Sequence, residues 1–211
     1  VTSVFINEEI GVTDNPLVFS KTGEVLSGGN FHGAPVAYAA DYLSIVLTDL
    51  SSLSERRIEH MLDPAMSELP AFLAKEGGIN SGFMIAHVTA ASLVSENKGL
   101  SHPASVDSIP TSANKEDHVS MGTFAARKTA EIAKNLETIL AIELLCASQA
   151  LDMRAPLKPS KVTAALVNMV RTRVPFWEED RLMHKDINIC KDFIRSDRVL
   201  TECEKVAGNI L

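Results

Sequence analysis

The sequence predicts an all-α protein made of long packed helices, and three observations support this fold class. Aromatic residues are only 5% of the chain, and many of the apolar residues are Ala, Leu, Ile and Met, most of which form helices well. Nine prolines separate long proline-free stretches, and proline is tolerated at the start of a helix but not in its interior. Within those stretches, apolar residues recur mostly at steps of three and four, as on one face of a helix.

Residues 1–33 are predicted to be rich in loops, with one small hairpin. Leu17-Val18-Phe19 and Glu24-Val25-Leu26 are typical of short strands and flank the turn sequence Lys21-Thr22-Gly23. The hairpin leads into a glycine-rich loop that ends at Gly33, and strand signals are weak in the rest of the chain.

Long bundle helices are predicted for residues 34–152. They cover residues 35–62, 82–96 and 115–152. At about 1.5 Å per residue, the first would span roughly 40 Å and the third more than about 50 Å. Because no small domain covers a helix of that length, we expect a bundle in which a partner helix or a partner subunit packs along it.

Shorter helices are predicted for residues 153–211. They cover residues 160–174, with Ser160 as a favourable N-cap, and then 184–195 and 197–206. The chain begins with Val1 and not with Met, and no turn or cap precedes its first stretch. We therefore expect it to be a fragment of a larger protein.

The composition disfavours several classes of partner. A net charge of -7 argues against nucleic acid and against an anionic membrane surface. The sequence has no secretory signal and no apolar run long enough to span a bilayer. Its three cysteines form no CxxC pair, which argues against a disulfide framework or a structural zinc site and fits a reducing compartment. We expect a cytoplasmic protein that binds neither nucleic acid nor membrane.

The first candidate functional segment is Leu26-Ser27-Gly28-Gly29-Asn30-Phe31-His32-Gly33. Three glycines within six residues let the backbone approach a ligand closely, and Phe31 would be a platform for that ligand. The alternative is a glycine turn that caps the following helix, with Phe31 as a hydrophobic staple. The residues alone favour the turn. No phosphate-loop pattern is present.

The second candidate segment runs from Leu100 to Met121 and is predicted to end inside a long helix. Asn114 is a plausible N-cap, and a carboxylate at Glu116 would be favoured by the helix dipole in the first turn. The functional alternative is that Glu116 points into a pocket and meets a positive or hydrogen-bonding group of a substrate. Successive helical side chains diverge by about 100°, so Glu116, Asp117 and His118 would not converge on a metal ion, and no metal site is predicted.

Four groups of residues are weaker candidates. His60 and His87 are expected to be hydrogen-bonded packing residues, and Arg56 and Arg57 to form surface salt bridges or a subunit contact. Glu143 lies either on a thin polar face or against a cation from another helix, and the sequence favours the polar face because buried unpaired acids are costly. Cys146 is expected to be a small core residue.

Six segments form a recognisable set when they are taken together. They are Thr13-Asp14-Asn15-Pro16-Leu17, residues 23–33, Leu53-Ser54-Glu55-Arg56-Arg57-Ile58, residues 80–86, Ser95-Glu96-Asn97-Lys98 and, most specific of all, residues 102–121. In this order they resemble the C-terminal portion of the histidine ammonia-lyases, within the aromatic amino acid ammonia-lyase family. The likeness covers nearly all of the chain to about Asp152 and then thins to general helical similarity.

The resemblance implies a fold, a reaction and a site. The fold would be the long-helix bundle of the fumarase/aspartase type, in a homotetramer whose active sites use three subunits. The reaction would be elimination of ammonia from L-histidine to give urocanate. The family uses no diffusible cofactor but an electrophile, methylidene-imidazolone, which forms from the enzyme's own Ala-Ser-Gly. Phe31 matches the substrate-binding phenylalanine beside the electrophile. Glu116 matches the acid that contacts the substrate imidazole or amine and assists elimination, so it is both the catalytic and a substrate-binding candidate.

The sequence also departs from the family pattern. Ala-Ser-Gly is absent, and neither Ala104-Ser105-Val106 nor Asn80-Ser81-Gly82 is a substitute. The family's catalytic tyrosine and carboxylate-binding arginine would lie upstream of Val1. Lys115 stands where the family usually has glutamine, and a cation beside Glu116 would alter its charge state. We therefore expect the isolated chain to be inactive. The alternatives are a segment of a tyrosine or phenylalanine ammonia-lyase or aminomutase, and a non-catalytic helical assembly fragment.

Overall fold

A computed structural model describes residues 1–210 and confirms the all-α prediction. Among these residues there are eight α-helices and one two-stranded hairpin. The helices are α1 (Thr2–Ile10), α2 (Ala34–Leu62), α3 (Pro64–Ser67), α4 (Met84–Leu100), α5 (Gly122–Met153), α6 (Lys161–Arg171), α7 (Met183–Arg195) and α8 (Arg198–Ala207), and the strands are β1 (Leu17–Phe19) and β2 (Glu24–Leu26).

The chain forms two compact units, each made of two stretches of sequence. Unit 1 comprises residues 1–48 and 97–133, and unit 2 comprises residues 49–96 and 134–211. The helices α2, α4 and α5 supply residues to both units. Both candidate functional segments belong to unit 1.

Unit 1 has a small core in which alanines let helices approach closely. Ala37 and Ala40 of α2, Ala125 of α5 and Ala104 are buried together, and Phe5 and Met121 pack against them. The Ser44 and Thr129 hydroxyls are 2.8 Å apart in the same interior, so the buried polar groups of the two helices satisfy each other. The hairpin pairs Leu17 with Leu26 in an antiparallel register.

Unit 2 contains the larger core. Its fully buried side chains include Ile58, Ile139, Ile142 and Phe193. Trp177 is buried as well, and its ring centroid lies 5.6 Å from that of Phe83. The helices α6 and α7 pack against α8 at the C-terminal end of the chain.

The start of α4 depends on a glycine. Gly82 has φ +54, and a Cβ atom there would lie 2.5 Å from the carbonyl oxygen of Phe72. The Asp180 carboxylate accepts hydrogen bonds from the backbone N–H groups of Ser81 (2.8 Å) and Gly82 (3.0 Å). These bonds hold the pKa of Asp180 below its ordinary value. The turn chemistry seen in the sequence before α4 therefore shapes a capped helix entry.

Most of the predicted elements are confirmed, with small shifts at their ends. The hairpin strands match residue for residue, and α2 and α7 each begin one residue before the predicted start. The Ser160 side chain caps α6 by accepting a hydrogen bond from the N–H of Thr163 at 3.2 Å. Two short helices, α1 and α3, were not predicted.

The predicted start of the longest helix is wrong. We expected it at Lys115 with Asn114 as its N-cap, but α5 begins at Gly122. Three consecutive residues, Ser112, Ala113 and Asn114, have positive φ of 52°, 54° and 66°, and Met121 has φ 55°. Right-handed helix cannot include such residues, so Glu116 lies in a loop and not in a helical turn.

Within residues 1–210, no helix is both long and apolar enough to cross a membrane.

Candidate active site segments

The glycine-rich segment is held by polar contacts at its beginning and end. The Asn15 side-chain oxygen accepts hydrogen bonds from the Ser27 hydroxyl (2.9 Å) and from the N–H of Gly28 (3.2 Å). Asn30 donates to the Glu8 carboxylate at 2.8 Å. Asn15 belongs to the first recognised motif of the sequence, so two motifs that are separate in the chain are joined in the fold.

Phe31 is displayed and not buried. Its side chain is 52% exposed, and its ring lies edge-on to His32 with centroids 5.5 Å apart. A hydrophobic staple would be packed against the first turn of α2. The exposed ring therefore favours the alternative in which Phe31 is a platform for a ligand.

The beginning of the second segment is held by a buried ion pair between α2 and α5. Asp41 of α2 and Lys128 of α5 are 3.1 Å apart, and each side chain is 5% exposed. Asp41 accepts a hydrogen bond from the N–H of Ser105 at 2.7 Å, and Lys128 donates to the carbonyl oxygen of His102. Burial alone would raise the pKa of Asp41, but the hydrogen bonds from Ser105, Ala104 and Lys128 hold it below its ordinary value.

Glu116 lies in a tight bridge within this segment. The N–H of Thr111 donates to the carbonyl oxygen of Glu116 at 3.0 Å, and the N–H of Glu116 donates to the carbonyl oxygen of Thr111 at 3.4 Å. The Glu116 side chain is exposed, and its carboxylate has no hydrogen-bond or ion-pair partner within residues 1–210. Its backbone is therefore fixed while its carboxylate remains exposed.

The structure brings the two segments together through the neighbours of the predicted site residues. The Ser120 hydroxyl donates to the carbonyl oxygen of His32 at 2.6 Å, and the rings of His32 and His118 are 5.6 Å apart. Phe31 precedes His32, and Glu116 lies two residues before His118.

An open groove of about 540 Å³ lies where the two segments meet α5. Both segments and the first turns of α5 form its walls. The lining residues are His32, Gly33, Val36, Val119, Ser120, Met121, Gly122, Thr123, Phe124 and Arg127. The groove is mostly apolar and is also lined by histidine, hydroxyl and guanidinium groups, as small-molecule sites commonly are.

The sequence reasoning missed three positioning side chains: Asp41, Lys128 and Ser120. Lys128 gave no signal because Arg127 and Thr129 flank it, but Asp41 gave a weak one because it interrupts an apolar stretch of α2. A charge inside such a stretch is either on a polar face or paired, and only the fold distinguishes the two cases.

The structure contradicts the prediction made for Glu143, one of the weaker candidates. We favoured a thin polar face, but its carboxylate accepts hydrogen bonds from the Ser54 hydroxyl (2.5 Å) and from Arg57 Nε (2.5 Å) and Nη2 (2.9 Å) of α2. This interaction raises the pKa of Arg57 above its ordinary value. The expected role of Arg57 in a salt bridge is confirmed, and Glu143 faces a cation from another helix.

Glu55 and His87 form a second polar cluster in unit 2. Glu55 is buried, and its carboxylate lies 2.7 Å from His87 Nε2 and is also hydrogen-bonded to Arg56. Burial would raise the pKa of Glu55, but the hydrogen bonds from Arg56 and His87 lower it below its ordinary value. The expectation that His87 is a hydrogen-bonded packing residue is confirmed.

The described residues include two buried thiols but no cluster that could hold a metal ion. Cys146 and Cys190 are buried, and desolvation raises the pKa of both, to about 12 for Cys190. Within the described residues 1–210, no group of three His, Cys, Asp or Glu side chains could hold a metal ion.

The comparison with known protein families shows to which family the chain belongs. A family model described as aromatic amino acid lyase matches residues 1–172. The chain belongs to the aromatic amino acid lyase family. Both candidate segments lie inside the matched range.

Relatives within the aromatic amino acid lyase family include histidine ammonia-lyases from several bacteria. The enzyme from Caldanaerobacter subterraneus subsp. tengcongensis is 58% identical over 200 residues, which cover 92% of this chain and 39% of that enzyme. The enzyme from Aromatoleum aromaticum is 56% identical, and the match covers 95% of this chain and 38% of that enzyme. The chain thus spans about two fifths of the length of these relatives.

Solved structures of the aromatic amino acid lyase family share the fold. The histidine ammonia-lyase from Trypanosoma cruzi has a TM-score of 0.91 and 50% identity, and the match covers 96% of this chain and 40% of that one. A tyrosine aminomutase from Streptomyces globisporus has a TM-score of 0.83 and 38% identity, over 91% of this chain and 37% of that one. The fold is therefore common to family members whose names give different reactions.

Proposed function

We propose that this chain supplies part of the active site of a histidine ammonia-lyase, which eliminates ammonia from L-histidine to give urocanate. One observation carries the proposal: a loop fixed at both ends presents the exposed Glu116 carboxylate, which has no partner within residues 1–210, beside the segment that contains Phe31. The histidine ammonia-lyases at 58% and 56% identity support histidine as the substrate class.

The difficulty of the reaction explains why an acid and an aromatic ring would be useful. The β-proton of an amino acid is barely acidic, and the amine is a poor leaving group. In the proposed site, the Glu116 carboxylate meets the imidazole or the amine of the substrate and assists the elimination, as a positioned general acid–base group can. The Phe31 ring packs against the aromatic part of the bound substrate.

The electrophile of the proposed reaction cannot come from these 211 residues. It would be methylidene-imidazolone formed from Ala-Ser-Gly, and that sequence does not occur in the chain. The closest candidate, Ala104-Ser105-Val106, lacks the glycine, and the N–H of its Ser105 is committed to Asp41. We propose that the chain alone is inactive and that turnover requires the remainder of such an enzyme.

An oligomer is part of the same proposal. One side of α2 displays a stripe of apolar residues in unit 1, Tyr38, Tyr42, Ile45 and Val46, whose side chains are exposed. Apolar patches of this kind mark protein–protein contacts. We propose that further copies of the chain cover the stripe, in a cytoplasmic homotetramer. Light scattering after gel filtration should give a mass well above 22.8 kDa, and a stable monomer would contradict the proposal.

A tyrosine or phenylalanine ammonia-lyase or aminomutase is the second candidate. The Streptomyces globisporus tyrosine aminomutase, at 38% identity, favours it. The higher identity to histidine ammonia-lyases argues for histidine. A third candidate, a helical fragment that only associates, is favoured by the absence of Ala-Ser-Gly but leaves the displayed Glu116 without a role.

Two chimeras test the proposal. In one, the chain replaces the matching 200 residues of the Caldanaerobacter enzyme, and in the other it replaces the matching part of the Streptomyces globisporus aminomutase. We expect urocanate formation, followed by ultraviolet absorbance, in the first chimera and little turnover of tyrosine in the second. A first chimera that assembles like the parent enzyme but makes no urocanate would reject the proposal. Equal activity of both chimeras would reject the assignment to histidine.

A further inference from the structure

The Asp41–Lys128 ion pair is unusual because both charges are almost fully buried. Each side chain is 5% exposed, and the two groups lie 3.1 Å apart between α2 and α5. Removing two charges from water costs about as much as their attraction returns, so a buried ion pair is weak evidence for stability. A role in fixing one particular arrangement is the better attested reason for keeping such a pair.

The other hydrogen bonds of Asp41 and Lys128 show which part of the chain the ion pair holds. The second carboxylate oxygen of Asp41 accepts from the N–H of Ser105 at 2.7 Å, and the Lys128 ammonium donates to the carbonyl oxygen of His102. Both bonds are to the backbone, and both are to the first residues of the loop 101–121. Each of the two charged groups therefore binds both its partner and the backbone of the loop.

The loop transmits this anchor to Glu116. Its two arms are joined by the hydrogen bond from the N–H of Val119 to the Ser108 hydroxyl at 2.9 Å. The Thr111–Glu116 bridge closes the tip of the loop. The far end of the loop is held separately, where Ser120 donates to the carbonyl oxygen of His32. If the anchor at residues 102–105 is lost, only the Ser120 end of the loop is left to hold Glu116 in position.

We propose that Asp41 and Lys128 are a positioning pair, whose function is to hold the loop 101–121 and thereby the Glu116 carboxylate in place. This inference rests on the proposed function for the role of Glu116, but the anchoring itself does not. Neither residue touches the substrate. Their effect on turnover acts through the loop backbone, and catalysis is sensitive to such placement because a displacement of about 1 Å can cost roughly 100-fold in rate.

The decisive variant replaces both charges by apolar groups of similar size, Asp41→Leu together with Lys128→Met. Removing one partner would leave a buried charge and risk unfolding, whereas removing both avoids that cost. The double variant should fold but lose both backbone anchors. Lys205→Met removes a lysine from an exposed ion pair in α8 and is the matched control.

Hydrogen–deuterium exchange on the 211-residue chain provides the first measurement. Amides of residues 101–121 in the double variant should exchange about tenfold faster than in the wild type, because the loop opens without unfolding the unit. Peptides from residues 34–48 and 122–133, on the two helices that hold the pair, should change little. Unchanged exchange in the loop, or an equal increase in those helical peptides, would overturn the positioning role.

Turnover in the histidine ammonia-lyase chimera provides the second measurement. We expect kcat to fall about 10- to 100-fold in the double variant with a smaller change in KM, and no change in Lys205→Met. An unchanged kcat together with a loosened loop would overturn the link to Glu116. A wild-type chimera without turnover would count against the proposed function, while the exchange measurement would still decide the anchoring.

Discussion

Glutamine in place of Glu143 is the sharpest test of how the polar contacts of unit 2 stabilise it. The Glu143 carboxylate joins α5 to α2 by accepting hydrogen bonds from the buried Ser54 hydroxyl and from the Arg57 guanidinium. Glutamine has nearly the same shape and still offers an oxygen to Ser54. The substitution therefore removes the negative charge and little else.

The expected loss follows from the exposure of the two partners. A hydrogen bond to a charged group contributes about 1.5–3 kcal/mol and a neutral one about 0.5–1.5 kcal/mol, so weakening the bond to buried Ser54 costs roughly 1 kcal/mol. The ion pair to Arg57 adds at most about 1 kcal/mol because the Arg57 side chain is 51% exposed. We expect Glu143→Gln to lower the free energy of unfolding by about 1–2 kcal/mol.

Trp177 makes the measurement specific to unit 2. It is the single tryptophan of the chain, and it is buried in that unit. With a urea m-value of about 2 kcal/mol/M, the midpoint of the fluorescence transition should fall by about 0.5–1 M. The control is Glu137→Gln, whose ion pair with Arg195 is more exposed and should therefore shift the midpoint much less. Equal shifts in the two variants would refute the argument from burial.

Two further predictions concern the thiols and the acid stability of unit 2. Burial raises the pKa of the Cys146 and Cys190 thiols, so only Cys203 should react quickly with a disulfide reagent at pH 8 in the native chain. All three thiols should react in denaturant. Rapid reaction of more than one thiol in the native chain would contradict this prediction. The folded-state pKa of Glu55 is lowered, so its contribution to stability is present above its unfolded pKa of about 4.3 and is lost as pH falls through the lower folded value. The urea midpoint, followed by fluorescence, should therefore fall between about pH 5 and pH 3, and Glu55→Gln should flatten that decrease; an equally steep decrease in the variant would count against this assignment.

The fold was largely predictable because its strongest signals are local. Proline positions and the three-four rhythm were enough for α2, and the turn sequence Lys21-Thr22-Gly23 was enough for the hairpin. Ser160 was recognised as a cap from its own chemistry, and it caps α6 in the structure. Each of these features depends on residues that are close together in the chain.

The misplaced start of α5 had a different origin. Residues 115–121 carry helix-compatible side chains, and no proline interrupts them. The positive φ angles at Ser112, Ala113, Asn114 and Met121 occur in a segment held by contacts with distant parts of unit 1, such as those of Ser120 with His32 and of Ala104 with α2. Sequence periodicity contains no information about such contacts, so the helix appeared to begin too early.

The candidate site residues were proposed from the sequence, whereas the contacts that hold their segments were visible only in the structure. Phe31 and Glu116 came from resemblance, and the structure places their segments side by side. The Asp41–Lys128 pair joins residues 87 positions apart, and neither spacing nor propensity could pair them. Glu143 was misjudged for the same reason, since its partner Arg57 lies 86 positions away.

The role of Glu116 is the central claim, and the most direct test is the kcat of the histidine ammonia-lyase chimera with Glu116→Gln. The matched control is Glu76→Gln, the same chemical change at an exposed loop residue of unit 2. We predict that kcat for urocanate formation falls by at least about 100-fold in Glu116→Gln, the usual contribution of a general acid–base group, and stays at the wild-type value in Glu76→Gln. A kcat for Glu116→Gln within about threefold of wild type, well short of that contribution, would contradict the account.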